Sequence, residues 1–201
     1  MNSTKSIMIV GVGGQGTLLA SRVLGSAIMQ QGYDVKVSEV HGMSQRGGSV
    51  VTYVRYGDKV YSPTIDEGQA DVILSFEKLE AARWLSFLKK GGKLITNTQE
   101  IDPMPVITGA AQYPDGLVEK IAAAGVDILA LDALTLANEA GSSKAINIIL
   151  VGVLSCFMDF TDDIWENALT GCVPGKFLEI NRKAFAMGRE YAHQHGIGKT
   201  E

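Results

Sequence analysis

The sequence is poor in the residues that hold metal ions and clusters. Its 201 residues include two cysteines, Cys156 and Cys172, and three histidines. The cysteines form no C-x-x-C pair, and no group of residues has the spacing of an iron–sulfur or zinc ligand set. The chain lacks the thiolates for a cubane cluster, so we predict no metal site in it. Two isolated cysteines are typical of reduced thiols in a cytoplasmic protein.

The sequence also lacks a long apolar run and an excess of positive charge. Its most apolar stretch, residues 145–160, is shorter than a bilayer span needs and contains Asn147, which indicates a buried core helix. The first ten residues lead from a short polar segment into a strand-like run, without the pattern of a signal peptide. The formal net charge is −4, which argues against a general nucleic-acid or anionic membrane surface. We therefore expect a cytoplasmic protein that binds neither nucleic acid nor membrane.

Strand and helix patterns alternate along the chain. Residues 6–10, which are apolar after Ser6, indicate a buried strand; residues 15–31 have the periodicity of a helix, and residues 34–40 alternate as a second strand does. The length of 201 residues favours a single domain over residues 1–201. The alternation predicts an α/β fold: a Rossmann-like, three-layer domain with a mostly parallel sheet.

Some antiparallel pairing is also predicted. Residues 49–57 and 59–62 are both strand-like, and Gly57 and Asp58 lie between them as a turn would, so the pattern indicates one antiparallel hairpin. Residues 77–88 have helical periodicity, and the pair of glycines at 91 and 92 is expected to end that helix.

Four glycines occur within six residues directly after the first predicted strand. Gly11, Gly13 and Gly16 satisfy G-x-G-x-x-G in the context that gives the motif meaning, between a strand and a helix. The helix that follows would present unpaired N–H groups and a partial positive charge to an anion such as a phosphate. The alternative is a glycine turn that serves packing only. The predicted cofactor-binding residues are Gly11, Gly13, Gly14, Gln15, Gly16 and Thr17.

A polar, glycine-rich loop, residues 41–48, follows the second strand. The carboxyl end of a strand in an open α/β sheet faces the ligand crevice, so this loop is expected to lie near the glycine turn. Arg46 could bind phosphate or carboxylate, and His41 could titrate or donate a hydrogen bond. No nucleophile–base–orienter set accompanies the loop, so no catalytic residue is predicted. The residues expected to face the crevice or a partner are His41, Ser44, Gln45, Arg46 and Gly47.

The two stretches GVGGQGTLLASRVLGSAI and SEVHGMSQRGGSVVTYVRYG carry a family resemblance. Together they resemble the gamma-type domain of the 2-oxoacid:ferredoxin oxidoreductases. Within that family, the phrase EVHGMSQRGG is most similar to the small, beta subunits of the indolepyruvate branch. The resemblance extends from about Ser6 to the final predicted helix.

The resemblance implies an enzyme that oxidatively decarboxylates an arylpyruvate, transfers the acyl group to coenzyme A and reduces ferredoxin. It places thiamine diphosphate, magnesium and the iron–sulfur clusters on a larger alpha subunit, to which the small subunit binds. The isolated chain would then be inactive. For the glycine turn it suggests coenzyme A, whose phosphates suit a helix N-terminus with Arg46 nearby.

Two other functions remain open from the sequence. One is a stand-alone NAD(P)-dependent dehydrogenase, for which Glu39 lies near the end of the second strand, where an acid would bind the ribose hydroxyls. The other is a non-catalytic nucleotide-binding or regulatory module. The dehydrogenase needs a catalytic residue, and only His41 is available near the turn.

Overall fold

The computed structural model describes residues 4–41 and 48–198. Six strands form one sheet: β1 (Lys5–Val12), β2 (Asp34–His41), β3 (Ser49–Gly57), β4 (Ala70–Ser75), β5 (Leu88–Asn97) and β6 (Asp127–Leu131). Eight α-helices accompany them in this part of the chain: α1 (Thr17–Gln30), α2 (Lys78–Arg83), α3 (Met104–Ile107), α4 (Leu117–Ala123), α5 (Ala133–Ala140), α6 (Ile146–Ser155), α7 (Asp162–Cys172) and α8 (Leu178–Gln194).

The strand order is β2-β3-β1-β4-β5-β6, and only β3 runs against the others. Helices cover both faces. One core lies between the sheet and α1, α5, α6, α7 and α8, whereas α2 and α4 cover the other face. The predicted fold class, a three-layer α/β domain with a mostly parallel sheet and an antiparallel pair, is confirmed.

The partner of the antiparallel hairpin was predicted wrongly. The pattern in residues 59–62 indicated a strand paired with β3, but these residues form no strand. Instead β3 pairs with β2 on one side and with β1 on the other, so the polar loop is the hairpin connection. The side chain of Asp34, at the start of β2, accepts a hydrogen bond from the Val60 amide (2.9 Å). This bond uses an N–H that a strand ladder would have needed.

The helix predicted over residues 77–88 is shorter than expected. It ends at Arg83, a 3₁₀ turn follows, and β5 begins at Leu88. Gly91 and Gly92 therefore lie inside a strand. Gly91 has φ 77°, a left-handed conformation, and the pairing of β4 with β5 shifts register here. The two glycines allow a bulge in β5 instead of ending a helix.

The apolar stretch 145–160 contains the buried helix α6. It lies under α8, and the two helices approach so closely that their backbones touch. A β-carbon at Gly152 would lie 2.3 Å from the carbonyl oxygen of Phe185, and one at Gly188 would lie 2.1 Å from that of Ile149. Neither glycine can be replaced without moving a helix. Within the described residues no helix is both long enough and apolar enough to cross a membrane.

The connections that follow the neighbouring strands β1 and β4 cross to opposite faces of the sheet. The helix after β1 packs on one face toward β2 and β3, and the helix after β4 packs on the other face against β4 and β5. The carboxyl ends of β1 and β4 therefore flank a topological switch point, which is where open α/β sheets form their ligand crevice.

Candidate functional site

The glycine turn, residues 11–16, joins β1 to α1 at this switch point. Gly14 and Gly16 have φ of 99° and 83°, which glycine adopts without strain. The first turn of α1 contains no acidic side chain. Four backbone amides here have no hydrogen-bond partner among the described residues: those of Gly14, Gly16, Thr17 and Leu18. These donors, together with the helix dipole, favour an anion at the start of α1.

The side chain of Gln15 fixes the turn to the neighbouring strand. Its Oε1 accepts a hydrogen bond from the Val12 amide (2.7 Å), and its Nε2 donates to the carbonyl of Phe76 (3.0 Å), just past β4. A β-carbon at Gly11 would lie 2.9 Å from Gln15 Oε1, so glycine at position 11 makes room for this bridge. The Gln15 carboxamide therefore spans the crevice from β1 to β4 and holds the turn in place.

A cavity of about 420 Å³ opens beside the glycine turn. It is lined by Gly14, Gln15, Gly16, Gln99, Ile101, Ser143, Lys144 and Ile146. Among these described lining residues Lys144 alone is charged, and it lies in the 3₁₀ turn that precedes α6. The residues that line the cavity thus include Gly14 and Gly16, whose amides have no partner among the described residues, and one cationic side chain, a combination that suits a phosphate or diphosphate.

Asn147 connects these two walls. It is 3% exposed, and its Nδ2 donates to the carbonyl of Gly16 (3.1 Å) while its Oδ1 accepts from the Ile148 amide (2.9 Å). A β-carbon at Gly16 would lie 2.8 Å from Asn147 Nδ2, so position 16 must be small. The bond sets the spacing between the start of α1 and the turn that carries Lys144.

The polar loop begins and ends beside the glycine turn. His41, the last residue of β2, pairs with Val50, which in turn pairs with Gly11. The Gly13 amide donates to the carbonyl of Gly48 (2.9 Å). Both ends of the loop therefore lie at the edge of the sheet that carries the glycine turn. The other predicted loop residues, Ser44, Gln45, Arg46 and Gly47, lie outside the described residues, as does the side chain of His41.

The position of Glu39 weakens the dehydrogenase alternative. A dinucleotide fold of the usual kind has its ribose-binding acid on the strand next to β1. Here β3 lies between them: Glu39 pairs with Thr52, which pairs with Ile9. Two strand spacings amount to about 10 Å, so Glu39 on β2 lies too far from β1 and its glycine turn to bind the ribose of a dinucleotide there.

A buried acid, Glu77, supports the far wall of the cavity. It is 1% exposed, and its Oε2 accepts from the Glu80 amide (2.9 Å) at the start of α2. Its Oε1 accepts from the Ile101 amide (3.3 Å) and from the hydroxyl of Tyr113. Burial, together with this bond to Glu77, raises the pKa of Tyr113 above its usual range. Glu77 thereby fixes the irregular segment that brings Gln99 to the cavity.

A second buried acid, Glu80, holds the end of the polar loop. It is 4% exposed and accepts a hydrogen bond from the hydroxyl of Ser49, the first residue of β3. Trp84 Nε1 donates to the same hydroxyl (3.3 Å), and Arg83 Nε lies 3.6 Å from a carboxylate oxygen of Glu80. This network joins the first residue of β3, directly after the polar loop, to α2. Sequence reasoning missed Lys144, Glu77 and Glu80, and used Asn147 only as an argument against a membrane span.

The two cysteines do not have the environment of a reactive pair. Both are free and partly buried, and burial raises the pKa of the Cys156 thiol. Within the described ranges, no three His, Cys, Asp or Glu side chains are placed to hold a metal ion.

Residues 6–191 match a protein family described as pyruvate ferredoxin/flavodoxin oxidoreductase. The chain belongs to this family. The match covers the glycine turn, the polar loop, the six strands except for Lys5 in β1, and the helices through most of α8. The predicted family and enzyme class are therefore confirmed: the chain is a subunit of an oxidoreductase of the 2-oxoacid:ferredoxin type.

Members of the pyruvate ferredoxin/flavodoxin oxidoreductase family with high similarity include small subunits of matching length. The indolepyruvate oxidoreductase subunit IorB of Thermococcus kodakarensis is 44% identical over 194 residues, which are 94% of this chain and 96% of that one. IorB of Archaeoglobus fulgidus is 39% identical over 93% of this chain and 94% of its own length. In contrast, the ketoisovalerate oxidoreductase subunit VorA of Methanothermobacter marburgensis is 26% identical over 96% of this chain but only 37% of its own.

Two solved structures have the same fold as this family member. The gamma subunit of a keto/oxoacid ferredoxin oxidoreductase from Geobacter sulfurreducens superimposes with a TM-score of 0.71 at 25% identity, over 94% of this chain and 99% of that one. A 2-oxoglutarate:ferredoxin oxidoreductase from Magnetococcus marinus, solved with 2-oxoglutarate, coenzyme A and succinyl-CoA bound, gives 0.74 at 19% identity and matches 32% of its own chain. The second likeness concerns the fold alone.

Proposed function

We propose that this chain is the small subunit of an arylpyruvate-oxidising 2-oxoacid:ferredoxin oxidoreductase, with indolepyruvate as the first substrate to test. The names and full-length match of the IorB relatives support this substrate class. The overall reaction converts a 2-oxoacid and coenzyme A to an acyl-coenzyme A, carbon dioxide, a proton and two electrons that reduce ferredoxin. We also propose that residues 1–201 form one domain and that the protein is located in the cytoplasm.

The proposal assigns the redox cofactors to a partner. Thiamine diphosphate, magnesium and the iron–sulfur clusters would be held by a larger alpha subunit, which also delivers electrons to ferredoxin. The chain's two cysteines support this division, because they are too few to hold a cubane cluster. The VorA match also supports a role beside other domains. There the corresponding region is 37% of a longer subunit, as expected for a domain that packs against others.

The chain's own part is to bind coenzyme A. The observation that carries this is the cavity of about 420 Å³, whose lining includes both Lys144 and two residues of the glycine turn, Gly14 and Gly16, with backbone amides that have no partner among the described residues. The amides of Gly14, Gly16 and Thr17 would donate to the diphosphate, and Lys144 would balance its charge. Gly11, Gly13 and Gln15 shape and hold the turn. The remaining predicted residues, His41, Ser44, Gln45, Arg46 and Gly47, would form a second wall or face the alpha subunit.

Calorimetric titration of coenzyme A into the assembled complex tests this assignment. Replacing Lys144 by Gln removes the cation without adding bulk, so we expect the dissociation constant to rise about tenfold, as for a lost charge-assisted hydrogen bond. Lys90→Gln is the matched control, since Lys90 is exposed at the amino-terminal part of β5, away from the crevice, and should leave affinity unchanged. Equal affinities for wild type and Lys144→Gln would refute coenzyme A binding at this cavity.

The subunit assignment has a separate test. The purified chain should catalyse no arylpyruvate-dependent ferredoxin reduction alone and should do so when mixed with the alpha subunit. Purification of the native chain should bring down a large, cysteine-rich, thiamine-binding protein. Activity of the chain alone with NAD(P) would favour the dehydrogenase instead.

A further inference from the structure

A second cavity, of about 370 Å³, lies at the opposite end of β1 from the glycine turn. The residues that line it come from the start of β1, the end of β3 and the segments before β2 and after α6: Lys5, Tyr33, Tyr56, Gly57, Phe157, Met158, Asp159 and Phe160. Lys5 begins β1, whereas the glycine turn follows its other end, about 25 Å away along the strand. No described residue lines both cavities, so this one is separate from the ligand crevice.

Three of the lining residues have aromatic rings that contact one another. The centre of the Tyr56 ring lies 5.6 Å from that of Tyr33 and 6.5 Å from that of Phe160. The Tyr33 and Phe160 ring centres are 6.3 Å apart. Phe160 also contacts the buried ring of Trp165, which fixes the group to the core. A fixed group of rings beside a cavity favours a ligand with a flat, apolar part.

The two tyrosines also bring hydroxyl groups to this end of the sheet. Neither the Tyr33 hydroxyl nor the Tyr56 hydroxyl is hydrogen-bonded to another described residue, so both can bond to water or to a ligand. Burial raises the pKa of Tyr56 to about 12, so its hydroxyl stays protonated and can donate in neutral solution.

Two opposite charges lie beside Tyr56. Lys5 pairs with Tyr56 across the antiparallel ladder, and residues paired in this way have side chains on the same face of the sheet, with β-carbons about 5 Å apart. The Asp159 carboxylate is close enough to the Tyr56 hydroxyl for its negative charge to contribute to the raised pKa.

These two charges do not neutralise each other. Lys5 and Asp159 form no ion pair together, and neither has an ion-pair partner among the described residues. An ammonium and a carboxylate that are both unpaired, beside one group of rings, are complementary to a zwitterion with a flat apolar side chain.

We propose that this cavity binds a free α-amino acid with an aromatic side chain. Lys5 binds the α-carboxylate, and Asp159 binds the α-ammonium group. The rings of Tyr33, Tyr56 and Phe160 contact the aromatic side chain of the ligand. This site is independent of the proposed function, because it includes no residue of the glycine turn and its test measures binding instead of turnover.

Calorimetric titration of the full-length chain with four probes tests each contact. L-Phenylalanine carries both charges, phenethylamine lacks the carboxylate, and 3-phenylpropionate lacks the ammonium group. We expect wild type to bind phenylalanine about tenfold more tightly than either analogue, as for a lost charge-assisted hydrogen bond. L-Leucine keeps both charges but has no ring, and it should bind about fivefold more weakly than phenylalanine.

Two substitutions at exposed positions assign the charges with little change of shape. Lys5→Gln should bind phenylalanine and phenethylamine alike, because it removes the partner of the carboxylate. Asp159→Asn should bind phenylalanine and 3-phenylpropionate alike, because it removes the partner of the ammonium group. Lys120→Gln is the control, since Lys120 lies in α4 on the other face of the sheet, and should bind all four probes as wild type does.

Three outcomes would overturn the amino-acid site. The first is the absence of saturable phenylalanine binding to wild type at millimolar concentration. The second is phenylalanine binding that is equally tight in wild type, Lys5→Gln and Asp159→Asn. The third is leucine binding as tight as that of phenylalanine. None of them bears on coenzyme A at the glycine turn, which Lys144→Gln tests separately.

Discussion

Asn147 donates its side-chain amide to the carbonyl of Gly16, at 3.1 Å, across 131 residues of sequence. This bond joins the glycine turn to the turn that carries Lys144, so the two anion-attracting walls of the cavity are held at a fixed separation. A site of this kind depends on the position of each wall as much as on its charge, because preorganised donors lose little entropy when a ligand binds.

Alanine substitutions in the glycine turn separate backbone strain from steric conflict. A β-carbon at Gly14 would meet no atom within 4 Å, so Gly14→Ala should lower the free energy of unfolding by about 1 kcal/mol, from the left-handed φ alone. Gly16→Ala adds the close contact with Asn147 and should cost about 2 to 3 kcal/mol. Urea denaturation measures both. Equal losses would show that Asn147 does not hold position 16.

The helix crossing makes a larger prediction. Gly188→Ala would place its β-carbon 2.1 Å from the carbonyl oxygen of Ile149, so we expect a loss of unfolding free energy of about 3 kcal/mol or more. The control is Gly171→Ala in α7, where the β-carbon meets nothing within 4 Å. That change should stabilise the protein by about 0.5 kcal/mol through helix propensity. Similar effects at both sites would contradict the backbone contact between α6 and α8.

Tyr113 gives a prediction with a defined pH dependence. Its hydroxyl donates to Glu77 and accepts from the Leu79 amide (3.1 Å), so Tyr113→Phe should cost about 1 to 2 kcal/mol near pH 7. The folded-state pKa of Tyr113 is raised, so its contribution is fully present below the unfolded pKa of about 10 and is lost as the pH rises further.

The advantage of wild type over Tyr113→Phe should therefore narrow above about pH 10. Tyr56, whose pKa is raised to about 12 by burial, is present in both proteins and cancels in the comparison. Denaturation at a series of pH values gives the difference directly. A difference that stays constant beyond the ordinary tyrosine pKa would argue against the buried contact with Glu77.

The two hydrogen bonds of Gln15 predict an asymmetry between two substitutions. Gln15→Glu keeps the shape, but places a carboxylate oxygen against the carbonyl of Phe76 and adds a negative charge to the cavity. We expect coenzyme A binding to the assembled complex to weaken by about tenfold, with the larger loss at low salt. Gln15→Leu removes both bonds without adding charge and should weaken binding less. If Gln15→Leu weakens coenzyme A binding as much as Gln15→Glu does, the negative charge is not the cause of the lost affinity.

Much of this site follows from the sequence, because its first part is local. The strand, four glycines and helix are contiguous, so the turn and its unpaired amides could be predicted from order alone. The location of the polar loop followed from the rule that carboxyl ends of parallel strands share one edge. The side chains of that loop lie largely outside the described residues, so their role stays a prediction.

The remaining parts are non-local, and nothing in the pattern marks their partners. Lys144 lines the cavity because α6, which follows it, packs beside α1. Gln99 lines the cavity because Glu77 accepts a hydrogen bond from the Ile101 amide and so fixes the backbone after β5. Asn147 could have been recognised from the sequence, because a single side-chain amide within an apolar, buried helix needs a hydrogen-bond partner. The hairpin was misassigned because β3 has two possible neighbours, and turn residues after it resemble those of a short connection.

Hydrogen–deuterium exchange on the assembled complex, with and without coenzyme A, measures directly whether the glycine turn binds the phosphates of the ligand. The unpaired amides at the start of α1 should exchange quickly without ligand and become protected when the phosphates accept from them. We predict slower exchange in residues 13–18 and around the turn that carries Lys144, and no change in residues 88–92, which lie at the amino-terminal end of β5 and so at the opposite edge of the sheet. Coenzyme A binding that protects other segments and leaves residues 13–18 unchanged would show that the glycine turn does not hold the ligand.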